Sequence, residues 1–319
     1  MKNRRGVALL TALWLVVAIA VVVLEFSIEA KERRQLGIDT AERGQSRAAA
    51  GGALAVVLAK LDYALRIAPQ GGGVQILRSS DPWLDVDSLY SGDYPIDSIA
   101  VQVRARDLGT QLNVNNLNEA ELRIFFGFLL NDADKADRLA QSIMDWRDVD
   151  EMPRLRGAEA DAYVKASQLT LPQNGPFREV EDLLQVMNMT PEIYELASPY
   201  LTVRGDGMVN LNTAPTPVLR VLPGMTDAIL ANILALRAQG RRITSVAQVM
   251  QAATRGLNAQ AQVQVQATTQ RLTTRTTVNT QQVELTLIAR VAPHAQPTRL
   301  MAIIERSAPT LATLEWKQW

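Results

Sequence analysis

The sequence has no cysteine and only one histidine, His294, in 319 residues. Disulfides and thiolate chemistry are therefore excluded, and so are Cys/His zinc sites and Cys–His nucleophile pairs; redox compartment cannot be read from cysteine usage. No glycine-rich phosphate loop is present. Charge of one sign is also lacking: 33 Lys plus Arg stand against 33 Asp plus Glu. The chain thus has no global basic field of the kind that binds nucleic acid without sequence preference. Proline is missing from Met1 to Ala68, and helix formers dominate that stretch, so one helix can run through it. Paired carboxylates occur, but beside arginines, where structural ion pairing is the simpler account. These absences argue against an enzyme.

What is present begins at the N-terminus. Lys2, Arg4 and Arg5 form a short basic head ending at Gly6, and residues 7–24 are an apolar run interrupted only by Thr11. At about 1.5 Å rise per residue this run spans most of a bilayer core. The basic head keeps the start of the chain cytoplasmic, so everything beyond Leu24 is expected to cross the membrane. No small-x-small cleavage site follows the run. The apolar helix passes directly into helix-forming polar sequence, which predicts one continuous helix over about residues 7–66. A glycine directly after a basic head and before such a helix is the pattern of a type III (prepilin) signal, cut after the glycine.

Further on, Pro69 and Gly71, Gly72 and Gly73 are expected to end the helix. Residues 79–95 read as loop-rich. Residues 99–106 alternate in the manner of a strand, and residues 283–291 and 299–306 are strand-like, with Pro293 and Pro297 in the loop between them. The stretch 258–282, rich in Gln, Thr and Val, is expected to hold a strand over 271–278 between loops.

The middle of the chain contains a repeat. Leu112-Asn-Val-Asn115 matches Val209-Asn-Leu-Asn212, and Glu121-Leu-Arg-Ile124 matches Val218-Leu-Arg-Val221. The motif Ile143-Met-Asp-Trp-Arg147 matches Ile233-Leu-Ala-Leu-Arg237, and residues 177–184 match 243–250. Each copy predicts an Asn-capped helix, a hairpin, a second helix and a short helix starting near Glu179 or Ser245. Both resemble helix-hairpin-helix units, which in many proteins bind DNA through hairpin amides and nearby basic residues. A membrane-tethered DNA-uptake protein is therefore the alternative function. Against it, the second hairpin carries Asp227, the first is acidic, and Arg241 with Arg242 make a weak patch.

The first copy is interrupted by an acidic insert, residues 148–173. Asp145, Asp148, Asp150 and Glu151 precede Pro153, and Glu159 and Asp161 follow Gly157. Hard oxygen ligands on neighbouring loops suit calcium, although the EF-hand spacing is absent and Arg147, Arg154 and Arg156 could simply neutralise a solvated acidic loop.

On the leader, the apolar helix, the repeats and this insert, the chain resembles the K-type minor pseudopilins of type II secretion. The resemblance implies an α+β fold: a pilin-like long N-terminal helix plus antiparallel sheet, with a large inserted all-helical domain. The expected divisions are a leader (1–6), the long helix (7–66), a pilin-like part (67–111), the helical insertion (112–257) and C-terminal strands (258–319). It implies cleavage between Gly6 and Val7 with N-methylation, and an inner-membrane anchor with the bulk of the chain in the periplasm. The implied partners are the I- and J-type minor pseudopilins, the major pseudopilin and the prepilin peptidase, with no nucleic acid. Most pilin-like helices carry Glu at the fifth mature position, which here is Thr11. A subunit at the filament tip has no neighbour whose N-terminal ammonium could pair a buried carboxylate, so a neutral residue avoids an unpaired charge in lipid. The resemblance also implies structural calcium, with Asp148, Asp150, Glu159 and Asp161 as first candidates and Asp145 and Glu151 as second.

Overall fold

The computed structural model describes residues 4–67, 81, 83–254, 259–307 and 310–318. Helix α1 (Arg4–Ile67) is continuous, in agreement with the sequence. The described side chains of its apolar first third are bare, with Leu13, Trp14 and Leu24 61–69% exposed. The expected terminators Pro69 and Gly71–Gly73 lie outside the described residues.

The second half of α1 packs on a five-stranded antiparallel sheet of order β1-β2-β7-β8-β9. Its strands are β1 (Gly92–Ile96), β2 (Ile99–Asp107), β7 (Gln282–Ala289), β8 (Thr298–Ser307) and β9 (Thr310–Gln318). Ala49, Ala50, Ala53, Leu54, Val57 and Leu61 share a core with Val101, Val103, Leu285, Leu287 and Leu300. The alanines let the helix approach the sheet closely, and strand alternation places every second residue of β2 against it. Trp83 closes this core, its indole N–H donating to the Leu61 carbonyl. The expected strand near 99–106 and the later hairpin are present. The loop-rich reading of 79–95 misses α2 (Val86–Tyr90) and β1. Strand β1 tolerates Pro95 because it is an edge strand. Strand β9 was not anticipated. A register irregularity at Ile303/Ile304 breaks its alternation and hides the period-two signal.

Between β2 and β7 lies a second, separate core built almost wholly of short helices. In the first copy of the repeat these are β3 (Leu112–Asn113), α3 (Glu119–Leu130), α4 (Ala133–Arg147), α5 (Ala160–Lys165), a 3-10 turn (Val180–Gln185), α6 (Pro191–Ala197) and β4 (Leu201–Thr202). In the second they are β5 (Val209–Asn210), α7 (Thr216–Arg220), α8 (Asp227–Ala238), α9 (Val246–Thr254), α10 (Ala259–Thr273) and β6 (Thr276–Thr277). The strand expected over 271–278 is therefore corrected: only Thr276 and Thr277 pair as strand, and residues 271–273 are the end of α10, which fills residues 259–273 where loop was expected. The β-branched residues are misleading there. Val265 and Leu272 recur on one helix face and pack into the helical core, while Thr269 and Thr273 satisfy their hydroxyls on carbonyls four residues back.

Candidate metal centre

The frame of the centre is duplicated well beyond the sequence match. In each copy the opening two-residue strand runs parallel to the closing one, β3 with β4 and β5 with β6. In each copy the second Asn of the N-x-N motif grips a distant residue at both backbone groups. Asn115 accepts from Phe177 N–H and donates to its carbonyl. Asn212 does the same with Ile243. The first Asn turns the backbone, Asn113 accepting from Asn115 N–H and Asn210 from Asn212 N–H. These asparagines act as clamps, and the expected Asn-capped helix is present in the first copy but absent from the second. Asn118 caps α3, in a capping box with Glu121, and α7 has no side-chain cap. The last arginine of the second helix completes each frame. Arg147 donates to the Val114 and Leu117 carbonyls, and Arg237 donates to those of Leu211 and Ala214. Burial lowers Arg237 to about 10.

The acidic insert leaves this frame directly after Arg147. Tyr163 of α5 anchors it, fully buried beside Trp146 with ring centroids 5.8 Å apart. The Tyr163 hydroxyl accepts from Met187 N–H, and burial raises it to about 12. Asp145, the last acidic residue of α4, is fully buried. It accepts from the Arg154 guanidinium at 2.5 Å and from Arg154 N–H at 3.1 Å. Arg154 also bonds one oxygen of Asp148. Gly157 is dictated by this packing, because a Cβ there would lie 1.9 Å from Asp145 Oδ2.

Three expected ligands come together. Asp148, Asp150 and Glu159 each offer an oxygen, all within 4.8 Å of one another. Glu159 is 4% exposed, and neither of its oxygens has a hydrogen-bond partner; the second oxygen of Asp148 is likewise unmet. Burial, with repulsion from Asp145, Asp148, Asp150 and Glu151, pushes Glu159 up to about 7. Buried carboxylate oxygens without donors, facing further carboxylates, are the arrangement a hard cation satisfies. Asp145 is committed to Arg154. Glu151 and Asp161 are exposed and are not part of the cluster. Sequence reasoning missed Arg154, Gly157 and Tyr163 as the parts that shape the loop. The only available hint was the R-x-R-G run between the two acidic groups.

Gly6, Val7 and Thr11 fall in the helical stretch of α1, but their side chains, and all of Met1 to Asn3, lie outside the described residues. Arg241 and Arg242 do not form a phosphate-facing pair: Arg241 is exposed, while Arg242 donates to Asn279 and lies 3.8 Å from the buried Asp81 carboxylate.

A long helix, bare and apolar at one end and packed on an antiparallel sheet at the other, defines a pilin-like protein, with one candidate membrane span among the described residues. The comparisons narrow that class. Residues 110–206 match the family model of the type II secretion system (T2SS) protein K. The chain is 26% identical over 137 residues to type II secretion system protein K of Pectobacterium carotovorum subsp. carotovorum, covering 38% of this chain and 42% of that protein. It is 33% identical over 81 residues to the protein K of Klebsiella pneumoniae, a quarter of each chain. The chain thus spans under half the length of these curated relatives. A chain in the crystal structure of the GspK-GspI-GspJ complex from the enterotoxigenic Escherichia coli type 2 secretion system matches with TM-score 0.63 at 18% identity, covering 88% of this chain and 98% of that one. All three findings agree with the resemblance to a K-type minor pseudopilin.

Proposed function

We propose that the chain works as a K-type minor pseudopilin: anchored by α1 in the inner membrane, with its bulk in the periplasm, and placed at the tip of the pseudopilus, where it starts assembly and supports export across the outer membrane. The bare apolar third of α1 carries this reading. Leaving such side chains in water costs roughly 1.5–3 kcal/mol each relative to burial, and lipid, or the helices of neighbouring subunits, would supply the cover. The relative seen in complex with GspI and GspJ supports I- and J-type minor pseudopilins as partners. The major pseudopilin and the prepilin peptidase follow from the family resemblance, and no catalytic role is proposed.

Two corollaries concern the N-terminus. Cleavage between Gly6 and Val7 with N-methylation is expected, and mass spectrometry of membrane-extracted protein decides it; a mature start beyond residue 25 would sink the assignment. Thr11→Glu should impair secretion at matched protein levels, because the added carboxylate would lack a partner in lipid. Normal secretion would argue against the tip position.

The insert would hold structural calcium through Asp148, Asp150 and Glu159, with charge neutralisation as its contribution. The decisive test of the whole assignment is association. Full-length protein, co-expressed with its I- and J-type counterparts, should copurify with both and show no affinity for duplex DNA at low salt. Absence of the complex, or salt-sensitive DNA binding lost on changing Arg241 and Arg242, overturns it.

A further inference from the structure

Strand β9 ends the sheet, pairing with β8 alone, and its side chains add little to the core. Of those described, residues 311–317, only Leu311 packs against the core between sheet and α1. The large apolar residues Leu314 and Trp316 stand 52% and 56% exposed. The opposite edge strand, β1, sets both Tyr94 and Ile96 against that core. The ladder joining β9 to β8 is also interrupted, at the irregularity beside Ile303 and Ile304. A strand with few buried apolar contacts and many exposed backbone bonds opens at much lower cost than the fold as a whole.

What reaches out of β9 is ionic. Glu315 and Lys317 share one face of the strand, and both meet the first helical copy. Lys317 Nζ lies 2.5 Å from Oε1 of Glu179. The other oxygen of Glu179 accepts from Arg204 at 2.8 Å, and Arg204 Nε lies 3.7 Å from Glu315. The helical side of this network is fixed. Arg204 N–H donates to the Thr202 hydroxyl, and its carbonyl accepts from Asn113. Glu179 forms a capping box with Asp182 at the start of the 3-10 turn. Glu284 of β7, 4.0 Å from Arg204, compensates part of its charge whether or not β9 is in place. The movable partners are therefore Glu315 and Lys317, whose side chains are 44% and 49% exposed. Ion pairs this open to water are weak and are screened by salt.

We propose that β9 is an ionic strap. It detaches from β8 as a unit while the other four strands and both helical copies stay folded, and the Glu179–Lys317 and Arg204–Glu315 pairs set how often it does so. Closed, it ties the sheet edge to the first copy. Open, it releases that tie and bares the backbone edge of β8. The inference is independent of the pseudopilin and calcium readings, because it rests on the sheet edge and on the charges around Glu179 and Arg204.

Hydrogen exchange on full-length protein in nanodiscs tests it. The β9 amides should exchange about tenfold or more faster than those of β7. Raising salt from about 0.05 M to about 0.5 M should speed β9 exchange several-fold and leave β7 unchanged. Lys317→Gln should produce the same acceleration at low salt and remove most of the salt response, while Lys317→Arg, which keeps the charge, should behave as the parent. Three results would overturn the proposal. One is β9 protection equal to that of β7. Another is fast β9 exchange indifferent both to salt and to Lys317→Gln, which is plain fraying of a chain end. The third is parallel acceleration of β7, which would mean that the sheet opens as a whole.

Discussion

The two helical copies hold their frames with the same parts, yet the connection leaving the second helix differs greatly in length. In the second copy residues 238–242 separate Arg237 from Ile243; in the first, residues 148–176 separate Arg147 from Phe177. The clamps are unaffected: Asn115 grips Phe177 as Asn212 grips Ile243, through both backbone groups. Loop closure grows only logarithmically with length. A frame fixed by buried side-chain-to-backbone bonds can therefore accept a long insertion at no geometric cost, and a new site can be built there. The second difference lies in what the first Asn of each motif touches. Asn113 donates to the neutral carbonyls of Arg204 and Gly205. Asn210 donates to the buried Asp107 carboxylate at the end of β2, so this motif ties the second copy to a buried charge of the sheet, whereas the first copy reaches the sheet through Glu179 and Arg204, which meet Lys317, Glu284 and Glu315.

The equivalence of the frames is broken most severely at their arginines. Arg147→Met and Arg237→Met each strand two backbone carbonyls in the core, and each should cost about 3 kcal/mol in denaturant unfolding. If the two costs differ by more than about 1 kcal/mol, the copies are not energetically equivalent, and the insert contributes to the frame it leaves.

Calcium should separate the copies next. With free ion at about a hundredfold its dissociation constant, mass action adds about 2.7 kcal/mol. The melting temperature should be higher in millimolar calcium than in chelator, and the difference should vanish in Asp150→Ala. Hydrogen exchange should slow in α4 and α5 and stay unchanged in α8 and α9. Identical melting in both conditions, after verified metal removal, would return the insert to an acidic loop neutralised by Arg154 and Arg156.

Legibility in the sequence followed the length scale of the forces. The uninterrupted α1, the alternation of β2 and the paired N-x-N motifs are local patterns, and each reports directly on the backbone. The cluster of Asp148, Asp150 and Glu159 could be seen as composition. Its selection from six candidates could not, because it depends on Arg154 folding back onto Asp145 and on Gly157 clearing room for that carboxylate. The Gln- and Thr-rich α10 was misread because helix there is imposed by tertiary contact. Thr268 packs against the hairpin at Gly224, whose left-handed φ of 80° and missing Cβ make the approach possible. Propensity alone favours no such helix.

The buried tie of the second copy at Asp107 gives a pH signature of its own. Burial raises the Asp107 carboxyl above its ordinary value, against the donors Thr213, Gly109, Asn210 and Thr280 that favour its ionised form. The folded state therefore holds this proton more tightly than the unfolded chain, and Asp107 lowers stability as pH rises through and above the usual carboxylate range. Thr213→Val removes the donor at 2.8 Å from Asp107 Oδ2. Its cost should be smaller at low pH, where the carboxyl is protonated, and should rise toward about 2 kcal/mol as pH increases and the bond lost becomes charge-assisted. A cost independent of pH would show that Asp107 does not ionise in the folded protein.

The smallest effect concerns how the insert balances its own charges. Arg154 lies 2.5 Å from an oxygen of Asp145 and 2.5 Å from one of Asp148, so one protein cation competes for carboxylates that calcium would also use. Arg154→Gln removes that competitor while retaining a side chain able to donate to Asp145. In chelator the variant should melt lower than the parent, because Asp145, already buried, loses its counter-charge. In calcium the gap should narrow, and the dissociation constant should fall several-fold as Asp148 becomes fully available and local negative charge rises. Weaker calcium binding in this variant would show instead that Arg154 shapes the site more than it opposes the ion. The first copy's insert would then depend on an internal ion pair for its form, much as both frames depend on Arg147 and Arg237.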